Sequence, residues 1–175
     1  MDSERADLIE SLRQHRRFLR FTTQDLTDEQ ARERTTVSEL TLGGLIKHVA
    51  QTEAEWARFI VDGPRDTPDI DWENVDWSNP PPEVVAFQNS HRMTEDETLA
   101  GLLADYEEVA ARTDALVESL PDLSATQPLP KAPWFEEGAV RSARRSILHI
   151  IAETSQHSGH ADIIREALDG QKTMG

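Results

Sequence analysis

Apolar residues recur at intervals of three and four in four long stretches of this chain, and no stretch alternates as a half-buried strand would. This spacing predicts amphipathic helices. Periodicity and capping residues place the first helix at Glu4–Thr22 and the second from Thr41 to just before Gly63. The third runs from a capping box at Thr94 to Leu120, and the fourth covers Ser142–Asp169 with Gly170 as its cap. A further short helix is expected at Leu26–Arg34.

The links between these helices are short, long and short. Residues 62–94 read as irregular chain rich in Pro, Asp and Trp, with a turn of helix expected around Phe87, and a second link covers Pro121–Glu137. Four helices joined in this way are typical of a four-helix bundle with one long crossover between helices 2 and 3. We therefore predict an all-α fold, without strands, as a single domain over residues 1–175.

The fourth helix carries a polar cluster on its inward face. Residues on a helix advance by about 100° each, so His149, Glu153, His157 and His160 fall within an arc of about 80°, shared with the apolar Ile164. Burying a carboxylate and three imidazoles is costly unless each group is paired or ligated. Imidazole and carboxylate are natural ligands of divalent metals, so the cluster predicts a metal site.

His48 lies on the inward flank of the second helix and completes a candidate ligand set. Three protein ligands would leave positions open for water or substrate, as in catalytic metal sites. His48 alone would more often be a hydrogen-bonded core histidine, and His149 is explained equally well as a support for the ligands. His15 and His91 have no comparable neighbours in the sequence and are expected to be ordinary polar residues.

Composition excludes several other classes of function. The chain has 33 acidic and 18 basic residues, a net charge of −15, which disfavours binding to nucleic acid. It has no cysteine, so it has no thiolate ligand or thiol nucleophile of its own. Neither a signal peptide nor an apolar run of the roughly 20 residues needed to span a bilayer is evident. We expect a soluble cytoplasmic protein that does not act on membranes.

Two motifs resemble a known family. Residues 41–50, Thr-Leu-Gly-Gly-Leu-Ile-Lys-His-Val-Ala, are similar to the second-helix motif of the DinB-like (YfiT-like) superfamily of metalloenzymes, and residues 149–162 and 165–170 are similar to its last helix. The likeness extends along essentially the whole chain in helix order and in the long crossover. It implies a bundle that holds a metal ion between its second and fourth helices.

The resemblance transfers the role of metal ligand to His48, Glu153 and His157. Many members of the superfamily have histidine where this chain has Glu153, and the glutamate variant resembles the metal-binding domain of mycothiol-dependent maleylpyruvate isomerase and related thiol S-transferases. His160 stands where many members carry glutamine, which favours a supporting role for it, as for His149.

The implied activity is transfer of a low-molecular-weight thiol of the mycothiol type to an electrophilic substrate. Zinc is the expected ion, with nickel, manganese or iron as alternatives. Metal-assisted hydrolysis, or a non-catalytic ligand-binding or stress-response bundle, are the other readings. The isomerase carries a further C-terminal domain, whereas this chain ends five residues after Gly170, so its specific isomerisation is not expected and a stand-alone thiol transferase stays open. Bundles of this kind often pair, so a homodimer is expected.

Several further residues are candidates for the surroundings of the site. Either His160 or Glu55 is a candidate acceptor of the thiol proton. Three aromatic residues of the links would either line the mouth of a pocket, together with Glu55, or cover the end of the bundle as ordinary core: Trp72, Trp77 and Trp134. Three arginines open the fourth helix and would attract an acidic cosubstrate, although pairing with Glu136 or Glu137 is the simpler expectation for them: Arg141, Arg144 and Arg145.

Overall fold

A computed structural model describes residues 2–65, 74–130 and 135–173. In chain order, these residues form α1 (Ser3–Phe21), α2 (Asp28–Arg32), α3 (Leu42–Asp62), α4 (Pro82–Asn89), α5 (Leu99–Ser119), β1 (Thr126–Pro128), β2 (Val140–Ser142) and α6 (Ala143–Asp169). The predicted all-α class is confirmed, with α1, α3, α5 and α6 as the four long helices. The helical turn expected near Phe87 is α4, which lies in the long crossover.

Local capping chemistry fixes the ends of the two helices that matter most for the site. The hydroxyls of Thr41 and Ser142 each accept the backbone N–H three residues later, which satisfies a free donor at the starts of α3 and α6. Gly63 and Gly170 follow the last helical residues with φ of 76° and 81°, a region that glycine adopts without a steric penalty. These four boundaries agree with the sequence-based prediction.

The third long helix begins at Leu99, with Thr98 as its N-cap, and the predicted start at Thr94 is wrong. The Thr94 N–H does donate to a carboxylate oxygen of Glu97, at 2.7 Å. However, Glu97 also pairs with Lys47 of α3, at 2.7 Å. The local bond therefore closes a turn that anchors the end of the crossover to α3, and the helix starts after that turn.

The absence of strands was also a wrong expectation. β1 and β2 pair antiparallel, with Thr126 opposite Ser142. Each strand has three residues, too few for the alternation from which a strand is predicted. This small sheet leads directly into α6, so it positions the side chains just before that helix.

The four long helices pack in a ring, α1 against α6, α6 against α3, α3 against α5 and α5 against α1. The side chains that fill the bundle are almost wholly inaccessible, and the largest apolar ones include Leu12, Leu19, Leu42, Leu45, Ile46, Tyr106, Ile147 and Ile150. Burying a leucine or isoleucine in this way contributes about 1.5–3 kcal/mol. Among the helices that the structure describes, none has the length and apolar character needed to cross a bilayer.

A buried ion pair links three of the helices. Arg16 of α1 donates to Glu53 of α3 through Nε at 3.1 Å and Nη2 at 2.6 Å, and to Asp114 of α5 through Nη1 at 2.7 Å. The Glu53 side chain has no solvent exposure. Because a buried charge is tolerated only with such partners, the pair fixes the rotation of α3 relative to α1, and α3 also carries His48.

Candidate metal centre

His48, Glu153 and His157 converge between α3 and α6. One potential ligand atom from each residue lies within 4.8 Å of the others, and all three side chains are partly buried. The convergence follows from helix geometry, because Glu153 and His157 are one turn apart on α6 and the inward flank of α3 presents His48 to them. Two imidazoles and a carboxylate at this separation are able to hold a metal ion.

The carboxylate of Glu153 lies between two histidines of its own helix. Its Oε2 is 3.6 Å from His157 Nε2, and its Oε1 is 3.7 Å from Nε2 of His149, one turn in the other direction. The two oxygens therefore have separate neighbours. Glu153 can direct one oxygen toward the centre while the other faces His149.

His160 contacts His157 on the side away from Glu153. The Nδ1 atoms of the two rings are 3.3 Å apart. When the Nε2 of His157 serves as a ligand, its Nδ1 carries the proton and donates to the Nδ1 of His160. This is the support that metal-binding histidines usually receive from a neighbouring acceptor.

Burial keeps the imidazoles of the centre neutral. Desolvation, and then the neighbouring His91 and His157, lower the pKa of His48 from 6.5 to about 4. Desolvation also lowers the pKa of His157, although the Glu153 carboxylate opposes the change. Neutral imidazole is the form that binds metals, so at pH 7 these side chains need not lose a proton first.

His91 is part of this centre, and the expectation that it is an ordinary polar residue is wrong. Its ring stacks on that of His48, with centroids 4.2 Å apart and planes at 23°. The contact depends on Gly44, one turn before His48, because a Cβ there would lie 2.3 Å from the carbonyl oxygen of His91. The Gly43-Gly44 pair was the signal in the sequence for this close approach.

The other predicted pocket residues are more dispersed. Glu55 is exposed and pairs with Arg58 and Arg65, at 3.4 Å and 3.0 Å, so it does not join the three converging side chains. Trp77 is 60% exposed. Trp72 and Trp134 lie outside the described residues.

Sequence reasoning missed an aromatic contact on the same side of the bundle. The ring of Trp56, on α3, contacts His149 with centroids 4.8 Å apart. The guanidinium of Arg141 lies over the same indole, 4.5 Å from its centroid. Arg144 pairs with Glu4 of α1 and not with the expected Glu136 or Glu137.

The fold and the site together define a class of protein. It is a four-helix bundle in which two histidines and a glutamate are able to hold a metal between the second and fourth long helices. The sequence profile of mycothiol S-transferase matches residues 7–170. The chain therefore belongs to the mycothiol S-transferase family, a DinB-like family, as the resemblance of its motifs predicted.

A solved structure supports the fold independently. The crystal structure of a conserved protein from Enterococcus faecalis aligns with 98% of this chain and 99% of its own, with a TM-score of 0.68 and 14% identity. No curated protein matches the chain significantly. At this identity the solved structure bears on the fold alone.

Proposed function

We propose that this protein is a metal-dependent transferase that joins a low-molecular-weight thiol of the mycothiol type to an electrophilic carbon of a second substrate. The convergence of His48, Glu153 and His157 within 4.8 Å, in a chain of the mycothiol S-transferase family, supports the proposal most strongly. Because the chain has no cysteine, the reacting sulfur has to come from a cosubstrate.

The donor set suits a divalent ion. Zinc binds imidazole and carboxylate readily and often keeps an open position beside three protein ligands, and nickel, manganese and iron accept the same donors. When bound, such an ion supplies positive charge that favours the thiolate form of an incoming thiol. The remaining contributions belong to side chains of the protein.

Glu153 brings the only negative charge among the three proposed ligands. That charge offsets part of the charge of a divalent ion and leaves the incoming sulfur more nucleophilic than three neutral histidines would. His149 and His160 hold Glu153 and His157 in position through the contacts described above. With its Nδ1 accepting from His157, His160 keeps its proton on Nε2, so in this proposal the thiol proton leaves to solvent.

A panel of thiols tests the proposal. Metal-free protein is reloaded with zinc, nickel, manganese or iron, then assayed with mycothiol, bacillithiol or glutathione and 1-chloro-2,4-dinitrobenzene as the electrophile. We expect one metal to support conjugation well above the uncatalysed rate, with mycothiol the best thiol. The Glu153→Ala variant should lose this activity, and His15→Ala, a histidine change on α1 outside the converging set, should retain it.

Background rates with every thiol and metal would contradict the transferase. Ester hydrolysis by the metal-loaded protein in the absence of thiol would instead support the hydrolytic alternative. Stoichiometric metal without either activity would favour a binding protein.

A further inference from the structure

The guanidinium of Arg141, on β2, has an N–H group without a hydrogen-bond acceptor among the described residues. The nitrogen of that group, Nη1, is buried. The flat face of the group lies over Trp56, and the Phe135 ring is 5.7 Å from its Cζ. A buried charged donor without an acceptor is costly, so this arrangement is suited to an anionic group that arrives from outside the chain.

The nearby Arg144 shows how a structural arginine is paired in the same region. It donates to Glu4 at 3.2 Å and to the hydroxyl of Ser124 at 3.1 Å. Among the described residues, Arg141 has aromatic rings in place of such partners. Burial lowers the pKa of the Arg141 guanidinium, as expected for a cation in apolar surroundings.

A short chain of contacts connects Arg141 to the candidate metal centre. The Trp56 ring that carries the guanidinium also contacts His149, and His149 Nε2 is 3.7 Å from the carboxylate of Glu153. Trp56 follows His48 by two helical turns on α3, which corresponds to about 12 Å along the helix axis. A ligand group held by Arg141 would therefore lie well away from the atoms that react at the metal.

We propose that Arg141 binds the carboxylate of an extended acidic substrate, and so selects which thiol or electrophile the transferase accepts. This inference rests on the proposed transferase function. Because Trp56 covers the flat face, an incoming ligand would meet the guanidinium at its edge, and that edge matches the two oxygens of a carboxylate. Mycothiol has no free carboxylate, so with that thiol the acidic group belongs to the electrophile. An acidic thiol such as glutathione is the other carrier to test, and the distance favours long substrates over small acids.

Steady-state kinetics of the metal-loaded protein test this assignment with paired probes. For the electrophile, the pair is 4-chloro-3-nitrobenzoyl-β-alanine and its neutral N-methylamide, each with mycothiol. For the thiol, the pair is glutathione and its dimethyl ester, each with 1-chloro-2,4-dinitrobenzene. The Arg141→Gln variant removes the charge, and Arg145→Gln removes an equal charge at an exposed position of α6.

We expect Arg141→Gln to raise KM at least tenfold for the acidic member of one pair, with kcat within twofold of wild type. KM for the member without a free carboxylate should stay within threefold, and Arg145→Gln should change neither member by more than that. The pair that responds identifies the substrate that carries the carboxylate. Equal effects on the acidic probes and on those without a free carboxylate, or no effect on either, would overturn the inference.

A binding measurement separates failure of this inference from failure of the transferase. If no pair of substrates turns over, calorimetry measures binding of 4-chloro-3-nitrobenzoyl-β-alanine and of glutathione to the metal-loaded protein. Binding of one acid that weakens at least tenfold in Arg141→Gln, but not in Arg145→Gln, supports the carboxylate site. Absence of binding in the wild type, or equal binding by wild type and Arg141→Gln, contradicts it.

Discussion

His157 and His160 face each other through their Nδ1 atoms, 3.3 Å apart on consecutive turns of α6. Two lone pairs at this distance would repel, so one of the nitrogens carries a proton. Placing it on His157 leaves the Nε2 of that residue free toward Glu153, 3.6 Å away. His160 thus sets both the tautomer and the orientation of a proposed ligand.

Replacing His160 tests this positioning role. Loss of such a supporting group typically lowers metal affinity by about 10- to 100-fold, which is the effect we expect for His160→Ala. His160→Gln should stay within about threefold of wild type, because its amide oxygen can accept the same proton. Competition with a chromophoric chelator measures both affinities, and unchanged affinity in His160→Ala would remove this role.

Breaking the buried ion pair should destabilise the whole bundle. In Glu53→Gln, the guanidinium of Arg16 loses the wholly buried one of its two counterions and keeps Asp114, so the expected cost is about 3 kcal/mol of unfolding free energy, at the lower end for a broken buried pair. The double variant Arg16→Met, Glu53→Leu should recover most of the loss, because both buried charges are then absent and Asp114 keeps Arg13 as its partner. Urea denaturation gives both values, and a cost of less than about 1 kcal/mol for Glu53→Gln would show that the pair is not a structural clamp.

Gly44 should resist replacement because the crossover packs directly onto it. In Gly44→Ala, the new Cβ would lie 2.3 Å from the backbone oxygen of His91, so we expect about 1–3 kcal/mol of destabilisation and separation of the stacked His91 and His48 rings. Gly159→Ala on α6 is the matched control. A Cβ added at Gly159 would meet no atom within 4 Å, so the Gly159→Ala variant should be about 1 kcal/mol more stable than the wild type.

Urea denaturation and NOE contacts between the two imidazoles measure these effects. If Gly44→Ala were as stable as Gly159→Ala and kept the contacts between the His91 and His48 rings, the packing described here would be wrong.

The lowered pKa of His48 predicts a pH dependence of the metal-free protein. The folded state holds the proton less tightly than the unfolded chain, with a pKa of about 4 against 6.5. Neutral His48 therefore contributes to the free energy of unfolding. This contribution is fully present above pH 6.5 and is lost as the pH falls from 6.5 toward 4. The His48→Gln variant should show a shallower decline over this range in urea denaturation, whereas parallel pH profiles would contradict the assignment.

Features with local causes could be predicted from the sequence. The ends of α3 and α6 follow from Thr41, Gly63, Ser142 and Gly170, whose side chains or backbone conformations act on the adjacent turn. The polar face of α6 follows from helical periodicity alone. That this face lies opposite His48 depends on how α3 packs on α6. Periodicity does not give this packing, but the resemblance to a family implied it.

Features that depend on distant partners could not be predicted. α5 starts at Leu99, after a turn in which Glu97 pairs with Lys47 of another helix, a partner that no local pattern reveals. Arg144 finds Glu4 across the bundle, although Glu136 and Glu137 are much closer in sequence. His91 reaches His48 through a crossover whose return path no local pattern specifies, and Gly44 was the one local trace of it.

The central claim is that His48, Glu153 and His157 hold one divalent ion, and its most direct test is the metal content of purified variants. Elemental analysis should find about one ion per chain in the wild type and in His15→Ala. It should find almost none in His157→Ala, whose folding is verified by circular dichroism. Stoichiometric metal in folded His157→Ala, or none in a wild type incubated with each candidate ion, would contradict the account.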